Sequence, residues 1–370
     1  MQIRPTKAVI NLRHLADNYR IISSINRGKD IIAVVKADAY GHGARKVVEK
    51  LITLESPPVC FAVATVEEVI DLIKYFPDQS FMVFEPFSPE LIPALKKYNF
   101  SISITSPIQL RQIRDAGFDK NIDIHLKLDT GMGRVGIKYY NIGVLINELK
   151  VSTGINIKGV YTHFATSDEN DGNFTTLQNE RFLNLLAQLR DAGIPTGMVH
   201  AANSGAVFDH PSTHYDAVRP GIALYGYYKD RETSNKLGLK PVMSLQSKLS
   251  TVERFIAGES ISYGRRFILE KDSFIASIPV GYADGISRAL RGKFECGIAG
   301  KLYSQVGTVT MDRILLNLGD DYLPPGSDVT ILSTDNNPAN DAWNWCRILD
   351  TIPYEITCNI SKRVHRVYGE

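Results

Sequence analysis

From about Asn11 to Gly226 the chain repeats one alternation, a short β-branched run followed by a longer amphipathic segment, and few folds accept that pattern. The apolar runs are Ile31–Val35, Val59–Val63, Phe81–Phe84, Ser101–Ile104, Ile122–Leu128, Ile157–Thr162, Met198–His200 and Tyr215–Val218. Between them, segments such as Leu12–Ile22 and Leu177–Leu189 place apolar residues three and four apart, the helical period. Strands that are apolar almost throughout are buried on both faces. Eight of them, each trailed by a helix, predict a (β/α)8 TIM-like barrel over residues 11–228. The competing architecture is an open doubly wound sheet, whose glycine fingerprint is absent after the first strand.

After a polar stretch, Lys229–Lys240, the punctuation changes from helices to Gly, Pro and Asp. The runs Met243–Val252, Phe274–Val280, Gln305–Val309, Ile314–Leu318 and Val329–Leu332 predict a mainly antiparallel β domain over 229–370. Lys7–Ile10, within residues 1–10, is an extra strand of that domain, and one late helix spans Asn340–Leu349, capped by Asn340 or Asp341. A formal charge of +2 and 44% hydrophobic residues leave no electrostatic case for nucleic acid or a membrane surface as partner. No segment approaches the apolar length of a signal or membrane span, so the expected location is cytoplasmic. Cys60, Cys296, Cys346 and Cys358 show no metal-ligand spacing and are expected as buried free thiols, with no metal site.

In such a barrel the reacting groups stand at the carboxyl ends of strands. The first strand ends Val34-Val35-Lys36-Ala37-Asp38-Ala39-Tyr40-Gly41-His42-Gly43. A lysine closing a buried strand is costly unless its amine is neutralised, paired or used covalently, and a Schiff base is one such use; the competing reading is a lysine that snorkels to solvent. Where strands seven and eight end, Ser204, Gly205, Gly221 and Ile222 supply a hydroxyl and backbone N–H groups suited to a phosphate. Arg219 precedes that loop, where an interior guanidinium wants a planar acceptor such as a ring nitrogen. Lys127, Arg134 and His163 also end inner strands; taken singly, each reads equally as a salt bridge or a satisfied core histidine.

Together these segments resemble the alanine racemase family over essentially the whole chain: R-P-T-K-A, A-V-V-K-A-D-A-Y-G-H-G, K-L-D-T-G-M-G-R, T-H-F-A, H-A-A-N-S, R-P-G-I-A-L-Y-G, S-Y-G, G-Y-A-D-G and M-D. The resemblance implies a pyridoxal 5'-phosphate enzyme that interconverts L- and D-alanine, supplying D-alanine for cell-wall precursors or degrading it. It implies Lys36 as cofactor lysine and as acid or base on one face of the substrate α-carbon. Tyr263, from the second subunit of a homodimer, would serve the opposite face, with a hydrogen-bond chain from it to His163 and Arg219, and His200 behind Arg219. Tyr40, Asn203, Ser204, Gly221 and Ile222 would join His163 and Arg219 around the cofactor, Arg134 and the backbone at Met311 would hold the substrate carboxylate, and Lys127 would carry a carbamate. Tyr282, Arg288 and Asp312 are corridor residues or structural turns. Lys362 stands where some relatives have tyrosine, and Thr310 where cysteine or serine often precedes methionine, which bears on pocket size. The competing functions are a broader racemase for serine, lysine or arginine, a non-catalytic cofactor carrier, and a decarboxylase.

Overall fold

The computed structural model of the chain describes residues 4–26, 28–335 and 339–370, so Met1–Ile3 of the expected 1–10 strand lie outside the described residues. After β1 (Lys7–Asn11), all eight apolar runs yield strands: β2 (Asp30–Val34), β3 (Cys60–Val63), β4 (Phe81–Pro86), β5 (Ser101–Ile104), β6 (Ile122–Asp129), β7 (Ile155–Tyr161), β8 (Met198–His200) and β9 (Ala217–Val218). Each pairs in parallel with the next. The ring closes where Ala217 and Val218 pair with Asp30 and Ile31. The fold is therefore a closed parallel barrel. β9 is shorter than its apolar run because Tyr215 adopts a left-handed φ of 49°, which no strand accommodates.

β6 shows how the barrel positions chemistry. Ile124, Leu126 and Leu128 alternate with His125, Lys127 and Asp129, and all six are buried. A strand covered on both faces normally offers apolar residues to each. Here one face carries three ionisable groups, and the His125 hydrogen bond across β7 to His200 on β8 turns that face toward the barrel interior.

Eight further strands join β1 in a second sheet: β10 (Met243–Lys248), β11 (Thr251–Phe255), β12 (Ser273–Ile278), β13 (Glu295–Ile298), β14 (Lys301–Val306), β15 (Ile314–Gly319), β16 (Asp328–Leu332) and β17 (His365–Gly369). They form one sheet in the order β11-β12-β15-β14-β13-β16-β10-β1-β17. Its pairs are antiparallel except β1 with β17. The expected run Met243–Val252 is two strands, and the run Gln305–Val309 ends early because Gly307 turns at φ 68°. The expected late helix is Ala342–Leu349, and Asp341 wins the capping role by accepting the Asn344 N–H at 2.8 Å. Asp341 also holds Arg231 through two bonds of 2.7 Å.

By contacts the chain forms two compact units: Ala16–Ala39 with Ala44–Leu224, and the described part of Met1–Leu15 with Tyr40–Gly43 and Tyr225–Glu370. Cys296 and Cys346 are buried as expected, Cys60 is half-buried, and Cys358 is exposed, contrary to expectation, because it ends the short surface helix Pro353–Cys358. Among the described residues no helix is long and apolar enough to cross a membrane.

Candidate active site

Lys36 stands half-buried just past the end of β2. The backbone after it is unusual. Ala37, Asp38, Ala39 and Tyr40 have φ of 53°, 52°, 54° and 54°, a left-handed helical turn built from residues with side chains. Each such residue costs about 1–2 kcal/mol relative to the right-handed form, so the turn persists only where its surroundings hold it. Glu68 supplies one hold. Its Oε1 accepts the Ala37 N–H at 2.6 Å while Oε2 accepts those of Ala64 and Thr65 at 2.7 and 3.3 Å. Glu68 is also the N3 residue of the capping box that starts helix Val66–Ile73 with Thr65, so one carboxylate joins the lysine turn to the β3 loop. Asp38 adds a second hold by accepting the Ala44 N–H at 2.7 Å.

The glycines that follow are demanded by close approach. A Cβ on Gly41 would sit 2.3 Å from the Thr357 carbonyl oxygen, and one on Gly43 1.9 Å from the Tyr368 hydroxyl. Tyr40 packs its ring 5.0 Å from that of Tyr225 and 5.8 Å from that of Tyr354.

Inside the barrel a buried polar layer joins three strands. Arg219 donates from Nη1 to His200 Nδ1 at 2.9 Å and from Nη2 to the carbonyls of Thr162 and Ala201 at 2.7 and 3.0 Å, with His163 Nδ1 at 3.5 Å. The bonds to His200, Thr162 and Ala201 use three of the five guanidinium hydrogens, which leaves the second Nη1 hydrogen and Nε–H for other acceptors. Burial brings the Arg219 pKa down to about 10, lower than its usual value but still a cation at neutral pH. Burial first, and then the Arg219 charge, hold His163 and His200 well below their ordinary range, so both are neutral. The same two causes depress the Lys127 amine, which lies 5.0 Å over the Tyr161 ring. Tyr161 stacks parallel on His200 at 5.1 Å and shares a 2.7 Å hydrogen bond with Ser103.

Lys36, Lys127, Arg134, Tyr161 and His163 line a cavity of about 330 Å3 with Ala64, Thr65, Phe84, Glu85 and Val135. Arg134 is exposed and reaches the cavity from a turn that Asp129 shapes by accepting the N–H groups of Gly131 and Gly133 at 3.0 and 3.1 Å and the Lys138 ammonium at 2.6 Å. After β8, Asn203 caps the short helix Ser204–Asp209 and Ser204 Oγ accepts the N–H groups of Gly221 and Ala223 at 2.9 and 3.3 Å. A hydroxyl that accepts twice has its own hydrogen to donate, so Ser204 remains a donor for an anion. The Gly221 N–H is meanwhile satisfied by Ser204. Gly205 lacks a side chain because a Cβ would lie 2.6 Å from Ser167 Oγ.

The second unit gathers a separate set. Tyr263, Tyr282, Arg288, Met311 and Asp312 line a hollow of about 680 Å3 with Thr308, Val309, Thr310, Arg313 and Leu315. Tyr263 is 74% exposed and Met311 51%. The loop is fixed from behind: Ser262 holds a left-handed φ of 66°, Thr308 donates to the Tyr263 carbonyl at 2.8 Å, and a Cβ on Gly307 would come within 2.8 Å of Ser262 Cβ. Asp284 in G-Y-A-D-G is fully buried, accepts from Arg4 at 2.5 and 2.7 Å and caps Gly281 at 2.9 Å, so that motif is a structural turn that carries Tyr282. Asp312 is exposed and held by Arg363 at 2.7 Å. Lys362, at the position of the noted departure, is exposed.

Sequence reasoning placed Lys36, Lys127, Arg134 and His163 near strand ends, and the structure brings all four to one cavity. It missed Glu68, His125, Tyr161 and Tyr354. Tyr354 carries no motif of its own, and Glu68 is visible only as the last residue of the T-V-E-E capping box.

A family model described as alanine racemase, N-terminal domain, matches residues 10–229, and one described as alanine racemase, C-terminal domain, matches 242–368. The chain is 40% identical over 380 residues to an alanine racemase of Clostridium tetani, covering 99% of this chain and 96% of that protein. It is 38% identical over 373 residues to alanine racemase 1 of Clostridium acetobutylicum, again covering 99% and 96%. The crystal structure of a Bacillus anthracis alanine racemase with bound L-Ala-P superposes with a TM-score of 0.93 at 30% identity, covering 100% of this chain and 96% of that one.

Proposed function

This chain belongs to the alanine racemase family, and on that premise we propose that it interconverts L- and D-alanine as a cytoplasmic homodimer holding pyridoxal 5'-phosphate at the barrel mouth. The enzyme is an isomerase. The observation that carries the reading is the single cavity into which a half-buried lysine, a guanidinium, a neutral imidazole and a depressed amine converge. Hydrogen-bond donors with a guanidinium among them in a small cavity suit a ring cofactor bearing a phosphate and a substrate bearing a carboxylate. The barrel, 11–228, holds the cofactor; 229–370 with strand 1–10 supplies the second acid–base group to the partner subunit.

When bound, the cofactor offers a carbonyl carbon for an amine and a conjugated ring that draws electron density from the substrate α-carbon. Lys36 holds it through its side-chain nitrogen and moves a proton at one face of that carbon. The strained turn behind Lys36 fixes where the nitrogen stands. The Ser204 hydroxyl would donate to the phosphate, a site to which the family resemblance also assigns Tyr40, Asn203, Gly221 and Ile222. Arg219 would supply a donor to the ring nitrogen, its guanidinium plane being fixed by its two carbonyl partners and His200. As a guanidinium it would hydrogen-bond that nitrogen without surrendering its proton, which would restrain electron withdrawal by the ring and disfavour decarboxylation. Arg134 receives the substrate carboxylate with the backbone of Met311 from the other subunit.

Inversion needs a second group on the opposite face, and Tyr263, exposed on its own subunit, is offered to a partner's cavity. His163 Nδ1 lies 3.5 Å from Arg219 Nη2, and the chain of support for the Tyr263 phenol runs through His163 toward Arg219. Burial and the Arg219 charge lower the pKa of the Lys127 amine, which favours its nucleophilic free-base form; that form adds to carbon dioxide, releasing a proton and leaving a carbamate beside Arg134. The test is incubation of the purified protein with L-alanine, followed by a chiral assay and an absorbance spectrum. D-alanine and a lysine-bound cofactor band are expected; L-alanine left unchanged by cofactor-loaded protein overturns the reading. A panel with serine, lysine and arginine distinguishes the broader racemase by comparable turnover.

A further inference from the structure

We infer that His125 is a positioning residue for Arg219: by accepting the Nε2–H of His200 across Gly159, it fixes the His200 tautomer whose Nδ1 receives the guanidinium. The argument is one of hydrogen accounting. Arg219 has donors only, so the 2.9 Å contact between its Nη1 and His200 Nδ1 requires an unprotonated Nδ1. A neutral imidazole then carries its hydrogen on Nε2. That atom lies 3.0 Å from His125 Nδ1, which must therefore accept, leaving His125 protonated on its own Nε2. Every bond runs in one direction, from Arg219 through His200 to His125. Burial, reinforced by the charges of Arg219 and Lys158, takes the His125 pKa down to about 3, so the ring stays an acceptor at neutral pH.

The backbone is cut to allow the contact. His125 is on β6 and His200 on β8, and the strand between them offers glycine opposite His125. A Cβ on Gly159 would stand 2.5 Å from His125 Nδ1 and 2.6 Å from the Met198 carbonyl oxygen. Only a missing side chain lets His125 lean over β7 to reach its partner. Tyr161, two residues on, stacks flat against the His200 ring.

If His125 could not accept, His200 would be free to place its hydrogen on Nδ1. Two donors would then face each other, and the guanidinium plane would lose one of its fixed partners. The role in catalysis rests on the proposed racemase reading, whereas the tautomers do not. The first measurement is nitrogen NMR of the cofactor-loaded protein labelled with ring-15N histidine, the eight histidines being assigned by substitution. His125 and His200 are expected as neutral rings protonated on Nε2; a proton on Nδ1 of either overturns the inference even if the protein racemises alanine. The second compares His125→Leu with His125→Gln, whose amide oxygen can accept. The leucine variant should lose about tenfold in kcat, the scale of one hydrogen bond, with KM changed by less than about twofold, and glutamine should restore most of the loss. Equal rates in the two variants, whether both normal or both low, would contradict the role. Should the leucine variant fail to fold, the spectrum of the unaltered protein still decides.

Discussion

Glu68→Gln tests whether the lysine turn is held under strain. The carboxylate accepts Ala37 N–H on one oxygen at 2.6 Å and those of Ala64 and Thr65 on the other at 2.7 and 3.3 Å. Glutamine has one acceptor oxygen. The orientation that keeps both bonds in the β3 loop turns its NH2 toward the Ala37 N–H, donor against donor. The loss is one charge-assisted bond; Glu68 is half-buried, so the low end of the usual range applies, about 2 kcal/mol. The four left-handed residues store about 4–8 kcal/mol in all, so removing the tether lets the strain of one or two of them open the turn. Two kcal/mol corresponds to about thirtyfold in the opening equilibrium. Native-state hydrogen exchange should therefore accelerate by about that factor at Ala37–Ala39 while the amides of β6 keep their protection, and kcat should fall with it. Unchanged exchange at Ala37, or a uniform change through the barrel, would show that the turn does not depend on Glu68.

Gly159→Ala forces a Cβ between His125 and the Met198 carbonyl and should cost about 1–3 kcal/mol by overpacking; a melting curve coincident with the parent would refute the close approach. Buried neutral histidines make stability depend on acid. His125, His163 and His200 have folded pKa values depressed below about 6.5, so an unfolded chain binds more protons than the folded one. Their contribution is complete above that value and is lost as pH falls below it, for His125 until about 3, at up to about 1.4 kcal/mol per pH unit for each ring. Urea denaturation at pH about 7 and about 5 should reveal the decline, and equal stability at both would speak against burial in the neutral form. Mass spectrometry under mild, bicarbonate-containing conditions should find Lys127 heavier by one carbon dioxide, released on acidification; an unmodified lysine in fully active protein rules the carbamate out.

The barrel was legible because parallel strands covered on both faces announce themselves as apolar runs, and the run at Ile31–Val35 also fixed where Lys36 would emerge. β17 was not, since His365–Gly369 is half-buried to exposed and offers no apolar run, and β13 is interrupted by Gly297. The left-handed turn escaped notice for a different reason: Ala-Asp-Ala has no preference for positive φ, and what imposes it is a carboxylate 31 residues away in sequence, on another loop. His125 read as one more residue of an apolar strand, and its partner appears only when β6 and β8 are brought either side of a glycine. Tyr263 and Met311 are singled out by motif alone, and their exposure explains why no hydrophobic pattern marks them.

Two opposed groups at one carbon make a demand that a single mobile base does not. In heavy water, each enantiomer of alanine exchanges its α-hydrogen through the residue on its own face, so Tyr263→Phe should leave exchange of one enantiomer near the parent rate. Exchange of the other, and racemisation in both directions, should fall by about a hundred- to ten-thousandfold. Equal exchange of the two enantiomers in that variant, fast or slow, would contradict the assignment of Lys36 and Tyr263 to opposite faces.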